Sequence, residues 1–237
     1  MDSTFPDAPT GAGFGKPELY TADEVDAIEK HIGEHFGPFA NVFHEIVSPD
    51  IHVDIAVIEP REEMPYYTLV TMGMGAHRMN VPAELAEFEL ERAELAISLP
   101  ASWKVEDVEN PNYFWPLRLL KELARMPGEY NTWLTALHTV QSSDGEFYAP
   151  NTKLGATILV PAQGDDESGQ ARLPNGETVN FYHIFPIYLD ELEYGLTRGK
   201  EELLEKLAAG TSILVDPTRP SVVGKPKKGL FGKLMGR

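Results

Sequence analysis

The stretch from Ile51 to Leu99 constrains the fold most. It opens IHVDIAVIEP, and Ile51, Val53, Ile55 and Val57 alternate with His52, Asp54, Ala56 and Ile58. That period of two predicts a strand over Ile51–Ile58 with one face buried. Tyr66 to Met72 is aromatic and β-branched and predicts a second strand. Glu59 to Pro65 joins the two. A parallel crossover needs about a dozen residues or more, so the pair is expected to be antiparallel. Ala93, Leu95, Ile97 and Leu99 alternate again, and Pro100 is expected to stop that third strand.

Around this centre the chain mixes helices and strands. Residues 1–20 are rich in Gly, Pro, Ser and Thr and read as a mobile leader. Thr21-x-x-Glu24 is a capping box, and Val25, Ile28, Ile32 and Phe36 mark one helical face. A helix is therefore expected over Ala22–Phe36, ended by Gly37-Pro38. Val42–Val47 reads as a strand. Gly73 and Gly75 mark a turn or bulge, and Pro82 opens a short helical stretch to Glu91. Pro116 suits the first turn of a helix whose Leu117, Leu120, Leu123 and Ala124 face inward, with Pro127-Gly128 as its stop.

Further strands are expected over His138–Gln141, Leu154–Val160, Val179–Tyr188 (interrupted at Pro186) and Ile213–Val215. Gly164–Gly176 reads as a polar surface loop. Helices are expected from a cap at Asp190 through Leu196, and over Lys200–Ala208, ended by Gly210. Without strict βαβ alternation, the class is α+β: a single domain with a mixed, largely antiparallel sheet packed by helices. That domain is expected over residues 21–220, followed by a basic flexible tail, 221–237.

Composition narrows the function classes. The absence of cysteine excludes disulfides, thiolate metal sites and cysteine nucleophiles. No run approaches the ~18 apolar residues of a membrane helix. The opening residues have neither a basic start nor an apolar core, so no signal peptide is expected, and the setting reads as cytoplasmic. Net charge is −17. The segment Gly224–Arg237 holds five cations and no acid, which leaves −22 on the rest. Such a body repels phosphate backbones, so nucleic acid is not an expected partner; a basic protein is. In the tail, Leu230, Phe231, Leu234 and Met235 fall at helical spacing. Four apolar side chains are too few for stable membrane anchoring. Removal of the tail is expected to leave the fold intact.

Few residues point to chemistry. His52 and Asp54 share one strand face, and with His44 or His183 they could bind a metal or form a base and its orienter. No ligand spacing supports that, and a polar strand face is the plainer reading. Neither a nucleophile elbow nor a phosphate-loop spacing is present. Asp165-Asp166-Glu167 lacks the alternation of a calcium loop. No catalytic, cofactor-binding or metal-binding residue is expected. The aromatic set Tyr66, Tyr67, Tyr113, Phe114, Trp115, Trp133 and Tyr148 fits both a core and a binding groove. Trp115 is expected to be buried.

These words occur in a telling order. His52–Ile55, Tyr66–Met74, Met79–Pro82, Ala93–Leu95, Leu99–Pro100 and Trp103 are followed by Trp115–Arg125, Tyr130–Val140, Phe181–Leu207 and Asp216–Pro220. The series resembles the Suppressor of fused family over roughly Thr21 to Pro220. The resemblance implies a protein-binding module and no enzyme. Eukaryotic members restrain Gli transcription factors in Hedgehog signalling. They capture a short peptide as an added strand between this domain and a second one, a two-domain cleft that is not carried over to this sequence. They also carry an acidic residue where this chain has Leu137, next to His138, and a tyrosine where it has Met126; Trp133 keeps an aromatic.

Standalone bacterial members resemble immunity proteins, which neutralise a toxin by binding it. That is the expected role here, with a basic toxin domain as partner. A general regulatory or interaction module is the alternative, and a metal-dependent hydrolase comes third. Asp54, Tyr66, Tyr67, Tyr113, Trp133 and His138 are the candidate partner-binding residues.

Overall fold

The computed structural model describes residues 16–162 and 167–224. Its strands are β1 (Asn41–Phe43), β2 (Asp54–Ile58), β3 (Tyr66–Met72), β4 (Ala93–Pro100), β5 (Thr139–Gln141), β6 (Leu154–Pro161), β7 (Gln170–Arg172) and β8 (Thr178–Tyr188). They form one sheet in the order β1-β2-β3-β4-β8-β6-β5, with β7 paired to β8. Among these eight strands, only the β4–β8 pairing is parallel. The short link after β2 gives the expected antiparallel pair, with Val57 opposite Leu69.

The period of two sorts side chains between two cores. Ile55 and Val57 of β2 join Leu69, Leu95 and Ile97 beneath α2 (Pro111–Tyr130). Ala56 and Ile58 join Val70, Ala96 and Phe181 beneath α1 (Ala22–His35). Farther along that second face, Ile158, Phe185 and Ile187 meet α3 (Leu189–Arg198) and α4 (Lys200–Gly210). The sheet is therefore a middle layer, and β2 is covered on both faces rather than on one. Trp115 is 1% exposed, stacked on Tyr148 and edge-on to Trp103.

The capping box of α1 forms as its spacing requires: Thr21 N–H donates to Glu24, and Glu24 N–H donates to Thr21 Oγ1. Several limits move. The Val42–Val47 strand stops at Phe43, and Ile46 and Val47 are exposed. Of the Ile51–Ile58 strand, Ile51 makes only an isolated bridge to Glu18. Pro100 is the last residue of β4, paired with Tyr66, so the strand ends there as expected, one residue beyond Leu99. The stretch after Pro82 is a 3-10 helix, Ala83–Phe88. Strand β7 lies in the segment expected to be a loop. It continues the line of β6 along β8. Leu214 makes only a bridge to Ser98, not a strand. Tyr188, not Asp190, precedes α3; its N–H donates to Glu191.

Prolines account for the other differences. Helix α2 starts at Pro111, capped by Asn110, so Pro116 sits in its second turn and Pro127 in its last. Proline costs a helix one backbone bond and strains the turn before it. Twenty residues of helix packed on the sheet absorb both. Pro186 does not interrupt β8. Its carbonyl accepts from Arg219, away from β6. A strand residue's N–H and C=O point the same way, so the missing N–H also faces away from β6, past the last β4–β8 pair, Ala96 with His183.

Of the expected leader, residues 1–15 lie outside the described residues. Glu18 N–H donates to Asp50, and Tyr20 donates its hydroxyl to Glu94. Of the expected tail, residues 225–237 lie outside them, while Val222 and Val223 pack against the α3–α4 core.

Candidate functional site

The two ends of the sheet order are β1 and β5. At β5 the chain approaches the sheet through a bulge. Leu137 N–H donates to Leu159 O, and Leu159 N–H donates to His138 O, so two residues oppose one. Leu137 takes φ 68°, the left-handed region in which a β-carbon is disfavoured. Its alkyl side chain stands where the resemblance pointed to an acid. Beyond the bulge, Ser142 N–H donates to Gly155 O. Antiparallel alternation then turns the N–H and C=O of Thr139 and Gln141 outward, to an edge with no strand partner among the described residues.

Beside that edge lies a groove of about 670 Å³ between α2 and β5. Phe114, Met126, Tyr130, Val140 and Tyr148 give it an apolar lining, and Arg118, Glu122 and Glu129 give it charge of both signs. Its Arg118 is held by Glu122 and by the carbonyl of Tyr148. At the bulge, Trp133 and His138 meet edge to face at 5.2 Å. Burial, then Lys200, holds the His138 imidazole below its ordinary value, so it is neutral at neutral pH. The Trp133 indole N–H is buried with no acceptor among the described residues. An apolar groove flanking an open strand edge accepts an extended peptide: the edge supplies backbone bonds and the groove takes alternate side chains.

The six residues named from the sequence fall in separate places. Trp133 and His138 stand together at the start of β5. Tyr67 lines a groove at the β1 edge, and Tyr66 faces the other side of β3. Tyr113 lies edge-on to Trp103, whose Nε1–H donates to the Tyr113 carbonyl. Asp54 belongs to a polar network of its own. It accepts from His44 at 2.8 Å, His52 at 3.0 Å and the Glu45 N–H at 2.8 Å. His183 is not part of it; it is buried in β8 and accepts the Ser98 N–H.

Ser48, His52 and Asp54 form a hydroxyl–imidazole–carboxylate series, with Ser48 Oγ 2.8 Å from His52. The Ser48 hydroxyl donates to Glu45 at 3.0 Å, however. A nucleophile must give its proton to the base, and here the proton is turned elsewhere. The sequence reading missed Glu45 itself. It takes Arg125 on both oxygens at 2.7 Å and pins the loop after β1 to α2. Burial pushes the Glu45 carboxyl up, but the Val53 N–H and Arg125 bring it below its ordinary value. Among the described residues, no group of three or more His, Cys, Asp or Glu side chains is placed to hold a metal. No helix among them is long and apolar enough to cross a membrane.

Comparison with known proteins follows the same lines. The family model described as Suppressor of fused protein matches residues 49–220. A Neisseria gonorrhoeae protein described as a Suppressor of fused homologue is 19% identical, with a TM-score of 0.59 over 87% of this chain and 100% of that one. A chain of the Sufu–Fu complex is 17% identical, with a TM-score of 0.58 over 87% of this chain and 93% of that one. Drosophila Suppressor of Fused gives 17% and 0.51, over 84% of this chain and 50% of that one. At these identities the likeness concerns the fold. No curated protein matches the chain.

Proposed function

Because the chain belongs to the Suppressor of fused family, we propose that it captures a protein partner along β5, and that the partner is a basic toxin domain neutralised by binding in the cytoplasm. The observation that carries this reading is the open β5 edge beside the α2 groove. The fold is one of protein interaction, and a similar fold is solved in a Sufu–Fu complex. No chemistry is required of the module; a toxin is blocked by occupying its surface. The net charge of −17 supports a basic partner through steering of the encounter.

The test is affinity capture from the native cell with the whole chain and with a Gln141→Pro variant. Proline at Gln141 removes an outward N–H and leaves the bonds to β6 in place. The expected result is a basic protein held by the parent chain, lost with the variant, and toxic to cells when expressed alone. Equal capture by both forms would remove β5 from the reading. A captured partner without toxicity would make the chain a general interaction module. Association should slow with salt, as the Debye length falls from about 10 Å at 0.1 M to about 3 Å at 1 M.

A further inference from the structure

The other end of the sheet is built differently. There β1 is three residues long, and its outer side has no strand partner among the described residues. By alternation, either Val42 or the pair Asn41 and Phe43 turns its N–H and C=O outward. Helix α2 packs on β3 and β4 but leaves this corner of the face open. A groove of about 740 Å³ results, floored by Phe43, Val57, Tyr67 and Trp103 and walled by residues 103–107. Just past β1, Ile46 and Val47 are 97% and 74% exposed.

Charge sets this groove apart from the one beside β5. Its charged lining is Glu59, Glu106, Asp107 and Lys104. Lys104 is drawn aside, its Nζ lying 5.3 Å from the centre of the Tyr113 ring. Glu59 takes the Asn41 amide at 2.6 Å, and Asp107 takes the Asn110 amide at 3.3 Å. Amides neutralise neither carboxylate. Three acids against one diverted cation, over an aromatic floor and beside an open strand edge, specify the occupant.

We propose that the β1 groove is a second docking surface, which takes an extended protein segment alternating cationic and apolar side chains. The segment adds to β1 by backbone bonds. Its apolar side chains enter the floor over Phe43 and Trp103, and its lysines or arginines meet Glu59, Glu106 and Asp107. This goes beyond capture at β5 and does not depend on it, because the two edges lie at opposite ends of the sheet order.

The test uses a short blocked peptide alternating lysine and valine, titrated calorimetrically into the full chain at low salt. The expected result is one site per chain, with no binding of the glutamate–valine counterpart. The double variant Glu106→Lys/Asp107→Lys reverses one exposed and one half-buried charge and leaves the apolar core alone; its affinity should fall about tenfold or more. Methylating alternate peptide nitrogens should abolish binding if the peptide adds as a strand, and Gln141→Pro should leave it unchanged. Absence of binding at millimolar peptide would overturn the proposal. So would affinity indifferent to the charge reversal, or lost in Gln141→Pro.

Discussion

Arg219 reaches Glu191 with two parallel contacts, each 2.6 Å long, and the two side chains are 8% and 0% exposed. The same guanidinium donates to the Pro186 carbonyl and lies over the Tyr188 ring. Glu191 in turn accepts the backbone N–H groups of Tyr188 and Val222. One ion pair thus ties the segment around DPTRP to the end of β8 and the start of α3. Removing one partner of a buried pair strands the other's charge, which costs about 3–5 kcal/mol. Arg219→Ala should lose about that much in urea denaturation. Arg219→Lys should recover little, since an ammonium lacks the planar fork. Adding Glu191→Leu to Arg219→Met should cost less than Arg219→Met alone, although two N–H groups are then left without acceptors. A double variant worse than the single would refute this account.

Trp115 is fully buried in the core beneath α2, held between Tyr148, stacked at 5.2 Å, and Trp103, edge-on at 6.1 Å. Trp115→Ala should cost about 3–5 kcal/mol, as for other buried aromatics. In a domain of this size that lowers the melting temperature by roughly ten degrees. An unchanged melting temperature would mean that the α2 face carries no core.

Two glycines separate backbone strain from crowding. Gly73 takes φ 122°, and a β-carbon there would lie 1.9 Å from the His52 carbonyl oxygen. Its N–H also donates to Glu94. Gly176 takes φ 87° with open space around it. Gly176→Ala should cost about 1–2 kcal/mol, the strain of a left-handed residue alone. Gly73→Ala should cost several times more, because the neighbour it meets is backbone. Equal losses in denaturant titrations would refute the crowding argument.

The strands that organise the fold were legible because a period of two survives burial on both faces. What periodicity cannot report is how many faces are covered; Ala56 and Ile58 look the same in sequence whether α1 lies over them or not. Prolines misled for a local reason. Pro116 and Pro186 carry the composition of a helix start and a strand break, yet the bonds they forgo are decided by the cap at Asn110 and by Arg219. The Glu45–Arg125 pair spans 80 residues and has no local signature. Trp133 and His138, five positions apart, were readable as neighbours. That Tyr67, Tyr113 and Asp54 sit in separate places depends on where the chain turns back.

Two buried groups should give the chain opposed pH dependences. Burial pushes the Glu94 carboxyl up to about 7, despite bonds from Thr71, Gly73, Gly75 and Tyr20. Its ordinary value is 4.5. Between those values the folded chain binds more protons than the unfolded one, so this contribution is complete below pH 4.5 and is lost as pH rises through 7. Burial brings the His183 imidazole down from 6.5 to about 4, and its unprotonated Nε2 accepts the Ser98 N–H. Here the unfolded chain binds the extra proton, so stability is complete above 6.5 and is lost as pH falls toward 4. Each shift spans two and a half pH units, or about 3 kcal/mol. Over pH 4.5–6.5 the two slopes cancel in the parent chain. Glu94→Gln should therefore gain stability, relative to the parent, as pH rises from 5 to 7. His183→Gln, which keeps an acceptor for Ser98, should lose stability relative to the parent over pH 4.5–6.5. Urea midpoints in half-unit pH steps give both differences directly. Two variants that run parallel to the parent would show that neither group titrates inside the fold.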